Sequence, residues 1–171
     1  GNLLIKGFDP SLIKTELDLL KKTGASIKIF KKEIQIKGPQ KIKKINHLVT
    51  KEYSGFPTDL APQFMVLLCK ANGRSSITEN IFKSRFMHAM ELQRLGAKIS
   101  IKYNKATIEG NTNFIGAEVM SSDLRASAAL ILAGISAKST TVVSRVYHCD
   151  RGYEKIENKL KKIGADIRRL N

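Results

Sequence analysis

The chain has no tryptophan, only two cysteines and four prolines, and half as many acidic as basic residues. Each shortage excludes something. Cys69 and Cys149 lie far apart, form no CxxC pair and have no cluster of metal ligands beside them, so neither a disulfide framework nor a zinc site is indicated. Both read as small structural thiols, with Cys149, next to Asp150–Arg151, the one that could lie near a site. No apolar run reaches the roughly 18 residues of a membrane span; the longest small and apolar stretch is Ala126–Ala137. The opening GNLLIKGFDP lacks the cleavable apolar region of a secretory signal, and a cytoplasmic location is expected.

GxxxxGK[ST], GxGxxG and GxSxG are also missing, which removes the usual support for kinase, dinucleotide-binding and serine-hydrolase readings. His47, His88 and His148 share no ligand spacing, so no zinc site is expected. His88 stands three residues after Arg85 and reads most simply as a packed or surface histidine.

What is present is a chain of 171 residues, 42% hydrophobic, long enough for one domain with a real core. Its net charge of +15 points to anionic partners. The cations are 22 Lys and 8 Arg, and the first 51 residues hold 12 Lys and no Arg. That reads as a solvated lysine face, since bidentate phosphate or base contacts favour arginine. Eleven aromatics without an RNP-like pattern make nucleic acid an unlikely partner.

Three segments repeat: LKKTGASIKI (20–29), LQRLGAKISI (92–101) and LKKIGADIRR (160–169). Each reads as a helix end, a glycine (Gly24, Gly96, Gly164) in a left-handed stop, then alternation suited to a strand. Amphipathic helices are expected at Pro10–Thr23, Arg85–Leu95 and Arg151–Ile163, preceded by strands Leu3–Lys6, Ser76–Glu79 and Thr141–Arg145. Hairpin partners are expected at Glu33–Lys37 and Lys105–Glu109. Two more apolar helices, Leu60–Ala71 and Leu124–Ala137, should be central. The period is a βαβαββ unit, with a partial repeat at 1–38 and further repeats at 39–110 and 111–171. Two complete phases are expected, and the chain is expected to begin inside a phase, as the later part of a larger protein.

Arginine placement is more informative than net charge. Arg85 and Arg151 are expected to open amphipathic helices, and Arg125 sits in the first turn of an apolar one. A cation there opposes the helix dipole, at about 0.3–1 kcal/mol if exposed, so an anionic ligand is the natural reason for the repetition. Asp59 and Asp123 occupy equivalent places before the apolar helices. Position alone favours helix capping over proton transfer for both, although one residue could serve both ends.

GFPTDL (55–60), ITENIFKSRFMHAMELQRLGAKI (77–99), MSSDLRASAALILAG (120–134) and VYHCDRGYEKIENKLKKIGADI (146–167) together resemble the C-terminal part of the enolpyruvyl transferases that act on UDP-N-acetylglucosamine. The resemblance covers essentially the whole chain. It implies an α/β fold, an inside-out α/β barrel (prism) built from βαβαββ repeats. It also implies transfer of the enolpyruvyl group of phosphoenolpyruvate to the 3′-hydroxyl of the UDP-sugar with release of phosphate, an early step of peptidoglycan synthesis that requires no metal or organic cofactor. Under it Asp59 binds the sugar hydroxyl and accepts its proton. Arg85, Arg125 and Arg151 meet phosphate or carboxylate groups, Asp123 is the acidic residue of the TDLR motif, and the backbone of Ile81 contacts the UDP-sugar.

The chain departs from the family pattern where TDMQAQ becomes Thr58-Asp59-Leu60-Ala61-Pro62-Gln63 and where Ser122 replaces threonine. The family's loop with a reactive cysteine has no match, so this chain should hold about half of the active site and need the N-terminal part of the same enzyme. The alternatives are a basic RNA-binding module and an inactive gene remnant.

Overall fold

A computed structural model describes residues 1–82 and 85–170. The elements run β1 (Asn2–Lys6), α1 (Lys14–Lys22), β2 (Ser26–Ile29), β3 (Glu33–Lys37), β4 (Leu48–Val49), α2 (Ala61–Lys70), β5 (Ser75–Thr78), α3 (His88–Arg94), β6 (Lys98–Lys102), β7 (Lys105–Glu109), β8 (Glu118–Met120), α4 (Leu124–Ile135), β9 (Val142–Ser144), α5 (Tyr147–Asp150) and α6 (Ile156–Lys162). Short 3-10 turns, Pro10–Ile13 and Thr58–Leu60, lead into α1 and α2.

The strands form three sheets, ordered β1-β3-β2, β4-β5-β7-β6 and β8-β9. In the first two, the second strand of a hairpin lies between its partner and the strand before the helix, all antiparallel. β4 joins β5 in parallel, and β8 joins β9 in parallel. β4–α2–β5 and β8–α4–β9 are therefore the same half-unit, and β1–α1–β2–β3 matches β5–α3–β6–β7.

The repeated glycines do what their sequence context demands. Gly24, Gly96 and Gly164 have φ of +99°, +94° and +99°. Each is followed by the same pair of bonds: Gly24 N–H to Lys21 and Ala25 N–H to Leu20, Gly96 to Gln93 and Ala97 to Leu92, Gly164 to Lys161 and Ala165 to Leu160, all 2.9–3.2 Å. This is the left-handed C-terminal cap that satisfies otherwise orphaned helix carbonyls.

The core lies around the two apolar helices. Phe64, Met65, Leu68 and Cys69 of α2 and Ala129, Leu130 and Ala133 of α4 pack with Ile77, Leu92, Leu95, Ile108 and Phe114. The alanines along α4 let the two helices approach closely. Both cysteines are free and buried, and burial pushes the Cys69 thiol up to about 12.

Three expectations need correction. The segment Ala165-Asp166-Ile167-Arg168-Arg169 forms no strand, since it makes no ladder with any strand among the described residues. One complete βαβαββ unit, β4 to β7, is therefore described rather than two. The helix expected at Arg151–Ile163 forms only as α6: residues 151–155, with Gly152 and with Lys155 at φ of +43°, are turns that separate it from the short α5 ahead of them. α3 begins at His88 rather than Arg85, and Met87 holds its N-cap position.

Candidate functional site

α2 and α4 present their N-terminal ends to the same region. The turn Thr58–Leu60 brings Asp59 to the start of α2, and its carboxylate caps nothing. Instead Arg85 Nη2 donates to Asp59 Oδ1 at 2.8 Å, and Arg125 Nη2 donates to Asp59 Oδ2. Capping, favoured by position, is thus overturned for Asp59: the side chain is spent on two guanidinium groups. Burial works to raise its pKa, but the Arg125 bond and the charges of both arginines outweigh that and hold it below the ordinary carboxylate value.

Asp123 is the cap its sequence predicts. Its Oδ1 accepts from Arg125 N–H at 2.9 Å and Ala126 N–H at 3.0 Å, and Ser122 Oγ donates to Oδ2 at 3.0 Å. Here too burial raises the pKa and the donated bonds win, so the group stays ionised. The cap fixes the first turn of α4, from which Arg125 reaches Asp59.

Arg85 follows β5 in sequence, after the bend at Ile81–Phe82. Its guanidinium stacks 4.9 Å from the ring centre of Phe82, which helps aim it. Ile81, expected to contact a ligand through its backbone, has its N–H committed to Glu79 Oε1 at 2.7 Å. His88 is buried, at 2% exposure, and its Nε2 has no hydrogen-bond partner among the described residues. Burial lowers its pKa to about 4 against the opposing pull of nearby Asp123.

Arg151 does not join this cluster directly. It is exposed, ends α5 rather than opening a helix, and makes no ion pair among the described residues. Its neighbours are close, however. A Cβ on Gly152 would meet Leu124 Cδ2 at 2.9 Å, and Gln63 Nε2 donates to Tyr153 Oη at 3.2 Å. The Arg151 segment thus rests against the first turns of α4 and α2. Among the described residues no group of three His, Cys, Asp or Glu side chains could hold a metal ion.

Glu79 and its threonine partners escaped the sequence reading. Oε1 accepts from Thr50 Oγ1 at 2.8 Å, Ile81 N–H at 2.7 Å and Phe82 N–H at 3.1 Å, while Oε2 accepts from Thr58 Oγ1 at 2.7 Å. Glu79 follows directly on β5, and nothing in the sequence beyond an acidic residue at the end of an expected strand marks it.

The family model described as EPSP synthase (3-phosphoshikimate 1-carboxyvinyltransferase) matches residues 1–160. The chain belongs to this family of enolpyruvyl transferases. It is 60% identical over its whole length to the UDP-N-acetylglucosamine 1-carboxyvinyltransferase of Pelagibacter ubique, covering 41% of that protein. It is 50% identical over 99% of its length to the enzyme of the same name from Desulfosudis oleivorans, covering 40%. The chain thus spans about two fifths of the length of these curated relatives.

Among solved structures, the enolpyruvyl transferase NikO from Streptomyces tendae matches with a TM-score of 0.90 and 27% identity, over 99% of this chain and 40% of that one. An EPSP synthase from Acinetobacter baumannii matches with a TM-score of 0.78 and 18% identity, over 100% and 43%. The latter likeness is one of fold. The α/β architecture of the chain is that of the family.

Proposed function

We propose that this chain is the arginine–aspartate part of a UDP-N-acetylglucosamine 1-carboxyvinyltransferase, acting in peptidoglycan synthesis in the cytoplasm together with the remainder of the enzyme. The observation that carries the proposal is Asp59 held between Arg85 and Arg125 at the N-terminal ends of the two central helices. Identity of 45–60% to relatives of that name over the chain supports the choice of UDP-sugar over shikimate phosphate.

In this reading the 3′-hydroxyl of the sugar gives its proton to Asp59 as its oxygen adds to C2 of phosphoenolpyruvate. The methylene carbon of phosphoenolpyruvate takes up a proton, giving a tetrahedral intermediate. Loss of phosphate and of a proton from that carbon then leaves the enolpyruvyl ether. Arg85 and Arg125 neutralise the phosphate or carboxylate charge that accompanies these steps, as preorganised cations do best in a site from which water is excluded. Arg151, brought near by Gly152 and Tyr153, supplies a third cation. Asp123 acts by capping α4, and the backbone of Ile81 lies against the UDP-sugar. The repeats bounded at 1–38, 39–110 and 111–171 form the scaffold that presents these residues.

The test is a chimera in which this chain replaces the matching segment of the Pelagibacter ubique relative. Phosphate release that requires both UDP-N-acetylglucosamine and phosphoenolpyruvate is expected, falling about 10²–10⁴-fold in Asp59→Asn, the range for loss of a general base. A folded chimera that releases no phosphate beside an active parent would overturn the proposal.

A further inference from the structure

Glu79 is a buried carboxylate, 3% exposed, at the end of β5. It touches neither arginine of the site, yet it accepts four hydrogen bonds from three separate pieces of chain. Thr50 belongs to the segment leaving β4 and itself accepts from Asn80 N–H at 2.9 Å. Thr58 is the residue before Asp59. Ile81 and Phe82 form the bend after β5, and the Phe82 ring stacks on the Arg85 guanidinium. The outer side of the same turn is pinned by Asn104, whose Nδ2 donates to Glu79 O at 3.1 Å and to Asn80 Oδ1 at 3.0 Å.

We infer that Glu79 is a positioning residue: its carboxylate ties the turn that carries Asp59 to the turn that aims Arg85, and so sets the distance at which the two meet. A buried carboxylate is costly to leave unpaired, and here every bond that offsets the cost goes to a segment flanking the site. A residue serving only the core could be apolar, whereas this one links two loops through their backbone and hydroxyl donors. The inference rests on the reading of Asp59 and Arg85 as site residues.

The geometry distinguishes charge from connection. In Glu79→Gln, Oε1 can keep Thr50, Ile81 and Phe82, while Nε2 donates to Thr58 Oγ1, whose own hydrogen turns away. Glu79→Ala loses charge and connection together. Thr58→Val keeps the charge and cuts only the link to the Asp59 turn.

The experiment is a carbon-detected NMR titration of the Asp59 carboxyl in this chain and its variants, with the fold checked by amide spectra. Asp59 is expected to titrate about 1 pH unit higher in Glu79→Ala than in Glu79→Gln, because its arginine partners drift when the link is cut. Thr58→Val is expected to move the midpoint upward from that of the unsubstituted chain. Equal midpoints in the alanine and glutamine variants would overturn the inference. Should Glu79→Ala fail to fold, Thr58→Val decides alone, and an unchanged Asp59 midpoint there is equally fatal. Inorganic phosphate release by the chimera tests the functional reading separately, so failure of that reading leaves the answer on Glu79 intact.

Discussion

Arg85 donates to Asp59 at 2.8 Å across 26 positions of sequence, and the second oxygen of the same carboxylate is taken by Arg125. One acidic group thereby draws together the turn before α2, the approach to α3 and the first turn of α4. It does so at a half-exposed position, so geometry rather than stability is the result.

Replacing either arginine tests this directly. Arg85→Ala or Arg125→Ala should raise the Asp59 pKa toward the ordinary carboxylate value. Because the folded-state pKa is depressed, the associated stability is present above that value and lost as pH falls through the lowered one. The variants should therefore show a shallower acid limb in urea unfolding, with a change at pH 7 within about 1 kcal/mol, the range for exposed ion pairs.

His88 should dominate the pH dependence between pH 6.5 and about 4. Its folded-state pKa is lowered from 6.5 to about 4 by burial. The unfolded chain therefore binds the proton first, and stability falls as pH drops through that window. The full effect is on the order of 3 kcal/mol. His88→Leu should flatten the slope of unfolding free energy from pH 6.5 to 5, measured by urea midpoints, and should cost little at pH 7 because Nε2 has no partner to lose among the described residues.

The cap on α4 is separable from charge. Asp123→Ala leaves Arg125 N–H and Ala126 N–H without an acceptor and should destabilise by about 1 kcal/mol, while Asp123→Asn should retain most of the cap. Urea unfolding of the three proteins side by side checks the order.

Two glycines should differ sharply. A Cβ at Gly110 would lie 2.0 Å from Ala71 O and 2.5 Å from Gly73 O, both backbone atoms that cannot turn aside. Gly110→Ala should cost more than about 3 kcal/mol, beyond the usual range for a single substitution. Gly164, with φ of +99° and nothing within 4 Å of an added Cβ, should lose only the left-handed penalty of roughly 1–2 kcal/mol. Thermal melts of both variants decide the ranking.

Much of the fold is legible from single residues whose roles are local. Gly24, Gly96 and Gly164 announce helix stops because only a residue without Cβ enters that conformation cheaply, and the apolar faces of α2 and α4 announce burial. The site is legible only in part. Asp59 and Asp123 look alike in sequence, and what separates them is the arrival of Arg85 and Arg125 from elsewhere in the chain. Arg151 is misplaced by helical periodicity because residues 151–155 are turns ahead of α6. Glu79 is invisible because its partners, Thr50 and Thr58, become neighbours only when β4 pairs with β5. Ala165–Arg169 has strand alternation but no strand beside it among the described residues, and alternation without a ladder does not make a strand.

An aspartate shared by two guanidinium groups is a weak base. Any anion that attracts Arg85 or Arg125 to itself withdraws that stabilisation and returns to Asp59 its appetite for protons. By reciprocity, protonating Asp59 loosens its hold on both cations and makes them more available to an anion. Anion occupancy and the proton affinity of Asp59 are in this way coupled through one carboxylate, with no moving part larger than a side chain.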